Sequence, residues 1–97
     1  VDYTNLPVMQ NLGFPVVLDI THSLQRPNQT CGVTGGNPEM IETIARAGIA
    51  VGVDGIFMES HPQPEKAKSD GANMLNLAKT EQLLTHLVKI KQAINTF

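Results

Sequence analysis

The sequence predicts an α/β fold with a parallel sheet, because three helix-like segments alternate with two strand-like segments along its 97 residues. The apolar spacing changes from a helical period to short continuous runs and back again, and polar residues follow both runs directly. Two strands alone would leave both sheet edges bare. The sequence therefore also predicts a parent domain that contains more sheet than this chain does.

The first helix and the first strand are defined by an apolar run and by the glycine between them. Residues 5–12 can form a short helix, and Gly13 is placed to end it in a left-handed conformation. Residues 14–20 (FPVVLDI) form an apolar run of strand length without clean alternation. Such a run predicts a strand that is buried on both faces, as in parallel sheets.

The second helix has a clear beginning and end. The tripeptide at 37–39 (NPE) combines a capping side chain, a proline for the first turn and an acidic residue near the helix N-terminus. Gly52 ends the helix. Apolar and small residues on one predicted stripe are Met40, Ile41, Ile44, Ala45 and Gly48.

The second strand and the last helix complete the pattern. Residues 55–58 (GIFM) form a second apolar run that leads directly into Glu59, and a long polar loop follows it. The last helix is predicted to begin near Thr80. The side chains that it is predicted to bury are Leu83, Leu84, Leu87, Val88, Ile90 and Ile94.

Composition excludes several function classes. A formal net charge of −2 provides no basic field for nucleic acid, and no apolar stretch approaches the roughly 18 residues that cross a bilayer. The single cysteine, Cys31, cannot form an internal disulfide, which favours a reducing compartment. We therefore expect a cytoplasmic protein that binds neither nucleic acid nor membranes.

Ionisable residues follow both predicted strands. His22 comes after the first strand and Glu59 directly after the second, and Asp70 lies on the loop that leaves the same edge. Because parallel strands end at one edge, His22 and Glu59 can converge if their strands are neighbours. One imidazole and two carboxylates suit a Zn, Fe, Mn or Co ion, although an ordinary hydrogen-bonded His22 is an open alternative. His86 is interpreted as part of a solvated helix face.

Four motifs carry a family resemblance: DITHSLQ at 19–25, TGG at 34–36, FMESHPQPEKA at 57–67 and SDG at 69–71. In this order and spacing they closely resemble the 3-deoxy-D-manno-octulosonate 8-phosphate synthase family. The resemblance runs from Val16 to the last helix. It implies that residues 1–97 are the C-terminal fragment of a single TIM (β/α)₈-barrel domain, and that they supply strands seven and eight with their helices.

The resemblance implies a reaction and a metal site. The family condenses phosphoenolpyruvate with D-arabinose 5-phosphate and releases inorganic phosphate, a step of lipopolysaccharide (Kdo) biosynthesis. In its metal-dependent members His22, Glu59 and Asp70 would be metal ligands, and His22 would be catalytic. A cysteine ligand would come from a part of the barrel outside this chain, so Cys31 is not assigned that role. Ser69 favours the metal-dependent branch.

Other implied roles concern substrate and assembly. By resemblance, Gln25 and Thr34 belong to a loop that contacts the arabinose 5-phosphate chain, and the complete enzyme is a homotetramer. The loop at 26–33 departs from the glycine-rich version of relatives, and Arg46 is interpreted as structural. Asp19 can either steady the metal ligands or cap a turn. The isolated chain is expected to be inactive, since the rest of the barrel is missing from it.

Two alternatives remain open from the sequence. The sister family, 3-deoxy-D-arabino-heptulosonate 7-phosphate synthase, shares the His, Glu and Asp arrangement but usually has D-P-S-H where this chain has Asp19 to His22 (DITH). A non-catalytic metal- or phosphate-binding module is the alternative of another class. Assays with arabinose 5-phosphate and with erythrose 4-phosphate, the sister enzyme's substrate, would distinguish the two synthase families.

Overall fold

The computed structural model describes residues 1–24, 38–66 and 74–97. It contains three helices and four short strands in these ranges: α1 (Asn5–Gln10), β1 (Val17–Asp19), α2 (Ile41–Val51), β2 (Gly55–Phe57), β3 (Ser60–His61), β4 (Leu75–Asn76) and α3 (Thr80–Ile94). The predicted order of helix, strand, helix, strand, helix is confirmed. The pair β3 and β4 was not predicted, because two residues are too few for a hydrophobic period.

The sheet that positions the site is the parallel pair of β1 and β2. Val17 pairs with Gly55, and Asp19 pairs with Phe57. The strands are therefore neighbours with a common direction, as the convergence of their polar ends requires. The second parallel pair, β3 with β4, continues the chain beyond the carboxyl end of β2.

Helix α2 packs on one face of this sheet. Its buried residues are Ile41, Ala45, Gly48 and Ile49. Helix and strand approach each other closely at Gly48, where an added Cβ would overlap Leu18 Cδ2. The predicted stripe is thus largely confirmed. Met40 is exposed instead, because it belongs to the short 3₁₀ turn at Pro38–Met40 that precedes the helix.

The predicted glycine positions are also confirmed. Gly52 follows α2 with a φ of 106°, and its N–H donates to the Gly48 carbonyl oxygen at 3.1 Å. Gly13 has a φ of 95° after α1. Both values fall in the left-handed region that glycine adopts without a steric penalty.

The amino ends of the strands are tied together by a carboxylate. Asp54 Oδ2 accepts a hydrogen bond from the Val16 N–H at 2.7 Å and another from Gln10 Nε2 at 3.3 Å. The same Gln10 amide donates to the Gly52 carbonyl oxygen at 2.7 Å. These contacts connect α1, the entry to β1 and the end of α2 at the edge opposite the polar strand ends.

Two burial predictions are wrong for this chain. The first strand was expected to be buried on both faces, but Val17 is 60% exposed, and Phe57 on the same face of the sheet is 50% exposed. In α3, Leu84 and Val88 are exposed although Leu83 and Leu87 are buried. The physical reason is the same in both cases: α2 covers one side of each element, and the described residues supply no cover for the other.

A shallow groove of about 740 Å³ runs along the exposed side of α3. Apolar side chains on its floor come from Leu77, Leu84 and Val88. No helix within the described residues is both long and apolar enough to cross a lipid bilayer.

Candidate active site

The carboxyl ends of β1 and β2 bring His22 and Glu59 together. His22 begins the 3₁₀ turn at His22–Leu24, three residues after the end of β1, and Glu59 lies two residues after β2. His22 Nε2 is 2.8 Å from Glu59 Oε1, and both side chains are half-buried. Residues that are distant in the chain therefore meet at one point above the sheet edge, as the parallel topology predicts.

Asp19 holds the imidazole from the other side. Its Oδ1 accepts hydrogen bonds from the backbone N–H of Thr21 at 3.0 Å and from that of His22 at 2.8 Å. Its Oδ2 lies 2.8 Å from His22 Nδ1. The interpretation of Asp19 as a turn cap is confirmed through Oδ1, and its other oxygen orients the His22 ring.

The contacts of Asp19 also determine its charge. Burial raises the pKa of Asp19, but the N–H groups of His22 and Thr21 and the His22 ring outweigh burial and hold this pKa below its usual range. Asp19 is therefore a carboxylate at neutral pH. Because a carboxylate can only accept, His22 Nδ1 must carry a proton and donate it.

This assignment leaves His22 Nε2 directed at Glu59. An unprotonated ring nitrogen and a carboxylate oxygen are both acceptors, so their 2.8 Å approach needs a shared cation, either a proton or a metal ion. An imidazole with Nδ1 bound to a carboxylate and Nε2 facing a second donor atom is a common arrangement of metal-binding histidines. The pair of His22 and Glu59 thus fits two positions of a divalent metal site.

Two further residues complete the site. Thr21 is fully buried, and its Oγ1 accepts a hydrogen bond from the Glu59 N–H at 3.2 Å. Phe57 packs its ring beside the His22 ring, with centroids 6.0 Å apart. Neither residue was predicted from the sequence to have a role, although a threonine two residues after an Asx-type acceptor is a recognisable turn pattern.

Several predicted residues lie outside the described residues. They are Gln25, Cys31, Thr34, Ser69 and Asp70. Among residues 1–24, 38–66 and 74–97, no group of three or more His, Cys, Asp or Glu side chains is arranged to hold a metal ion. The described part of the site is therefore the pair of His22 and Glu59 with its supporting contacts.

The interpretation of His86 as a solvated residue is wrong. His86 is half-buried on α3, and its Nδ1 lies 3.0 Å from Glu42 Oε2 on α2. Arg46 forms an ion pair with the same carboxylate one turn along α2. This ion pair lies within α2, and Arg46 Nη2 also lies 3.3 Å from His86 Nδ1 on α3, which agrees with the structural role predicted for Arg46. His61 caps a turn by accepting from the Gln63 N–H at 2.9 Å.

Eight curated relatives that match 90% or more of this chain share one name. The chain is 50% identical over 95 residues to the 2-dehydro-3-deoxyphosphooctonate aldolase of Leptothrix cholodnii, covering 98% of this chain and 33% of that protein. It is 48% identical to the protein of the same name from Desulfotalea psychrophila, covering 97% of this chain and 34% of that protein. The chain thus spans about a third of the length of the curated relatives it matches.

Solved structures and a family model show which fold and which family this chain matches. A DAHP synthase from Thermotoga maritima superposes with a TM-score of 0.81 at 32% identity, over 97% of this chain and 25% of that one. A truncated form of the same synthase gives a TM-score of 0.80 over 32% of its length. The chain is thus an α/β fragment that matches part of a DAHP synthase TIM barrel. Because residues 1–96 match the DAHP synthetase I family, the chain belongs to that family.

Proposed function

We propose that residues 1–97 supply strands seven and eight, with their helices, of a single (β/α)₈ barrel that makes 3-deoxy-D-manno-octulosonate 8-phosphate. The complete enzyme would condense phosphoenolpyruvate with D-arabinose 5-phosphate and release inorganic phosphate, for lipopolysaccharide biosynthesis in the cytoplasm. The observation that carries this proposal is the His22 ring held between Asp19 and Glu59 at the ends of two parallel strands.

Sequence identity favours this substrate over that of the sister enzyme. The name 2-dehydro-3-deoxyphosphooctonate aldolase denotes the same enzyme as 3-deoxy-D-manno-octulosonate 8-phosphate synthase. Identity is 45% to 51% with eight curated proteins of that name, whereas it is 32% with the heptulosonate (DAHP) synthase of Thermotoga maritima. The site geometry alone does not distinguish the two, because the sister family shares the His, Glu and Asp arrangement. The preference for arabinose 5-phosphate over erythrose 4-phosphate therefore rests on the closer sequence relation.

A divalent metal ion, Zn, Fe, Mn or Co, is the proposed cofactor. His22 and Glu59 would hold it together with Asp70 and a cysteine from outside this chain. The nitrogen and oxygen donors that this chain contributes suit these ions, and the carboxylate on His22 Nδ1 supports the neutral ring that ligation needs. When bound, the ion would supply Lewis acidity to the reaction.

The chain's own residues would orient and enclose the reactants. Asp19 keeps the His22 ring in one tautomer and one orientation, and Phe57 packs beside that ring. Gln25 and Thr34 are proposed to contact the arabinose 5-phosphate chain and to exclude water when their loop closes. A homotetramer is the proposed assembly, by likeness to the family.

The proposal can be tested with two grafted barrels. In the first, residues 1–96 replace the matching segment of the Leptothrix cholodnii aldolase, and in the second they replace that of the truncated Thermotoga maritima synthase. We expect the first graft to consume phosphoenolpyruvate with arabinose 5-phosphate, and we expect the second graft to be poorly active with either aldose phosphate. Phosphate release, measured with arabinose 5-phosphate and with erythrose 4-phosphate, reports both activities.

Matched variants identify the residues responsible. His22→Ala in the first graft should abolish turnover and metal retention, whereas His86→Ala, on α3 and away from the strand ends, should keep both. The isolated chain is the negative control, with no turnover expected. Activity of the second graft with erythrose 4-phosphate alone would favour the sister function. Unchanged turnover and a full complement of metal in His22→Ala would contradict the ligand assignment.

A further inference from the structure

Thr21 is the one fully buried polar side chain among the described residues, at 0% exposure. It lies between Asp19, which holds the His22 ring, and Glu59, which faces that ring from just beyond the end of β2. Its hydroxyl oxygen is 3.3 Å from Asp19 Oδ1 and 3.2 Å from the Glu59 nitrogen. A hydroxyl can donate one hydrogen bond and accept another, so Thr21 can satisfy both neighbours at once.

These contacts close a ring of four residues. Asp19 contacts His22 through Oδ2 and Nδ1, and His22 contacts Glu59 through Nε2 and Oε1, each at 2.8 Å. The Glu59 N–H donates to Thr21, and the Thr21 hydroxyl returns to Asp19. The side chains of His22 and Glu59 thus meet on one side of the ring, and Thr21 joins the backbone positions from which they extend.

The Thr21 hydroxyl also takes the place of a backbone acceptor in the last hydrogen bond between the two strand ends. The final backbone bond at this edge runs from the Ile20 N–H to the Phe57 carbonyl oxygen at 2.9 Å. The Thr21 N–H turns away to Asp19, because β1 ends in the turn that Asp19 caps. Beyond the end of β2, the Glu59 N–H donates instead to the Thr21 hydroxyl.

We propose that Thr21 is a positioning residue that sets the separation of His22 and Glu59 and thereby the metal affinity of the site. This inference rests on the proposed metal site. Without the hydroxyl, the half-buried Glu59 N–H loses its acceptor, and the end of β2 can shift relative to the turn that carries His22. Two ligands held at a fixed spacing lose less freedom when they bind an ion, so loosening them should weaken binding.

Two substitutions in the first grafted barrel separate the hydroxyl from the volume of the side chain. Thr21→Val keeps the shape and removes the hydroxyl, and Thr21→Ser keeps the hydroxyl and removes the methyl group. We expect Thr21→Val to weaken Co²⁺ binding by about 10- to 100-fold, the usual range for a supporting contact, and Thr21→Ser to stay close to the parent. Co²⁺ affinity is read from its visible absorption during titration.

A second readout does not involve metal or turnover. In the metal-free grafted barrel, hydrogen exchange at the Glu59 amide should be about 10-fold faster in Thr21→Val and nearly unchanged in Thr21→Ser, because the valine offers no acceptor. Val53→Ala is the control for a general loss of stability, since Val53 is buried at the opposite end of β2. It should lower the urea midpoint without changing Co²⁺ affinity.

The outcomes distinguish this inference from the function on which it rests. If the parent graft takes up no Co²⁺, the metal site is wrong and the positioning role falls with it. If the parent binds Co²⁺ and Thr21→Val binds equally well, only the positioning role is overturned. Equal losses in Thr21→Val and Val53→Ala would also overturn it, because the effect would then be one of stability.

Discussion

At the scale of single residues, the two oxygens of Asp19 have separate tasks. Oδ1 accepts from two backbone N–H groups and holds the turn after β1, whereas Oδ2 accepts from the His22 ring. The backbone N–H groups and the His22 ring therefore bond to different oxygens of Asp19, and either set of contacts can be perturbed without the other. Position 19 thus allows turn stability and ring orientation to be measured separately.

Asp19→Asn should weaken metal binding while leaving the turn intact. The remaining amide oxygen must stay on the two backbone N–H groups, so the NH₂ group faces His22 Nδ1 and cannot accept from it. The ring would then favour the tautomer with a proton on Nε2, which cannot ligate. We expect Co²⁺ affinity in the first grafted barrel to fall by about 10- to 100-fold, measured by titration.

Asp19→Ala is the matched comparison for this variant. It removes both oxygens, so it should weaken metal binding similarly and also destabilise the fold by about 1 kcal/mol through the lost turn bonds. Urea unfolding of the metal-free proteins measures the second effect. Asp19→Asn with parental Co²⁺ affinity would show that the ring does not depend on this carboxylate.

At the scale of elements, α2 can pack closely on β1 because Gly48 has no side chain. A Cβ at Gly48 would overlap Leu18 Cδ2, well inside van der Waals contact. Leu18 is itself buried, so its side chain has little room to move away. Glycine avoids this overlap at the close approach of helix and strand, in spite of its low helix propensity.

Gly48→Ala should destabilise the protein although alanine favours helices. The gain in helix propensity is roughly 0.5–1 kcal/mol, and overpacking a core costs roughly 1–3 kcal/mol, so we expect a net loss of about 1 kcal/mol. In a Leu18→Ala background the same change should become stabilising, because the clashing methyl group is gone. Urea unfolding of the four proteins in this double-mutant cycle measures the coupling. Additive effects would contradict the proposed contact.

A carboxylate at the other end of the strands should make the junction of α1 and β1 acid-sensitive. The hydrogen bonds from the Val16 N–H and from Gln10 lower the pKa of Asp54. A carboxyl with a lowered folded pKa stabilises the fold above its unfolded pKa of about 3.9, and this contribution is lost as the pH falls through the folded value.

Asp54→Asn reproduces the uncharged state at every pH. The variant should be less stable than its parent at pH 7, and the two urea midpoints should approach each other below about pH 4, where the parent also loses its charge. The measurement is a series of urea transitions of the grafted barrel between pH 7 and pH 3. A difference in midpoint that stays constant over this range would rule out a contribution from the Asp54 charge.

At the scale of the whole molecule, the exposed apolar side chains face in consistent directions. Val17 and Phe57 share the face of the sheet opposite α2, and Leu84 and Val88 share the groove side of α3. Since the chain spans about a third of its curated relatives, the proposed barrel offers covers for both surfaces. The sheet face with Val17 and Phe57 would be turned to the barrel interior, and the groove side of α3 would be covered by a neighbouring helix.

Much of this arrangement could be predicted from the sequence, for physical reasons. The order of elements follows from hydrophobic period, and the end of α2 follows from Gly52. The start of α2 was predicted at residues 37–39, but Pro38 opens a 3₁₀ turn and the α-helix begins at Ile41. The meeting of His22 and Glu59 follows from topology, because parallel strands place their carboxyl ends at one edge. Their role as metal ligands stays a prediction.

Other features depend on information that a sequence pattern lacks. The exposure of Leu84 and Val88 was not predicted, because periodicity identifies an apolar stripe but not the element that covers it. The double role of Asp19 depends on a side-chain rotamer, and the link from Thr21 to Glu59 joins residues from two strands. The β3 and β4 pair is set by contacts between distant segments, not by local preference.

The fit of Gly48 against Leu18 constrains how this protein can diverge. A mutation that adds a side chain at 48 is harmful alone, and one that shortens 18 leaves a cavity alone, so each is disfavoured as a first step. When both mutations are present, the side-chain volume lost at position 18 is regained at position 48. Homologues are therefore expected to change both positions in concert or neither, and libraries that diversify one should diversify the other.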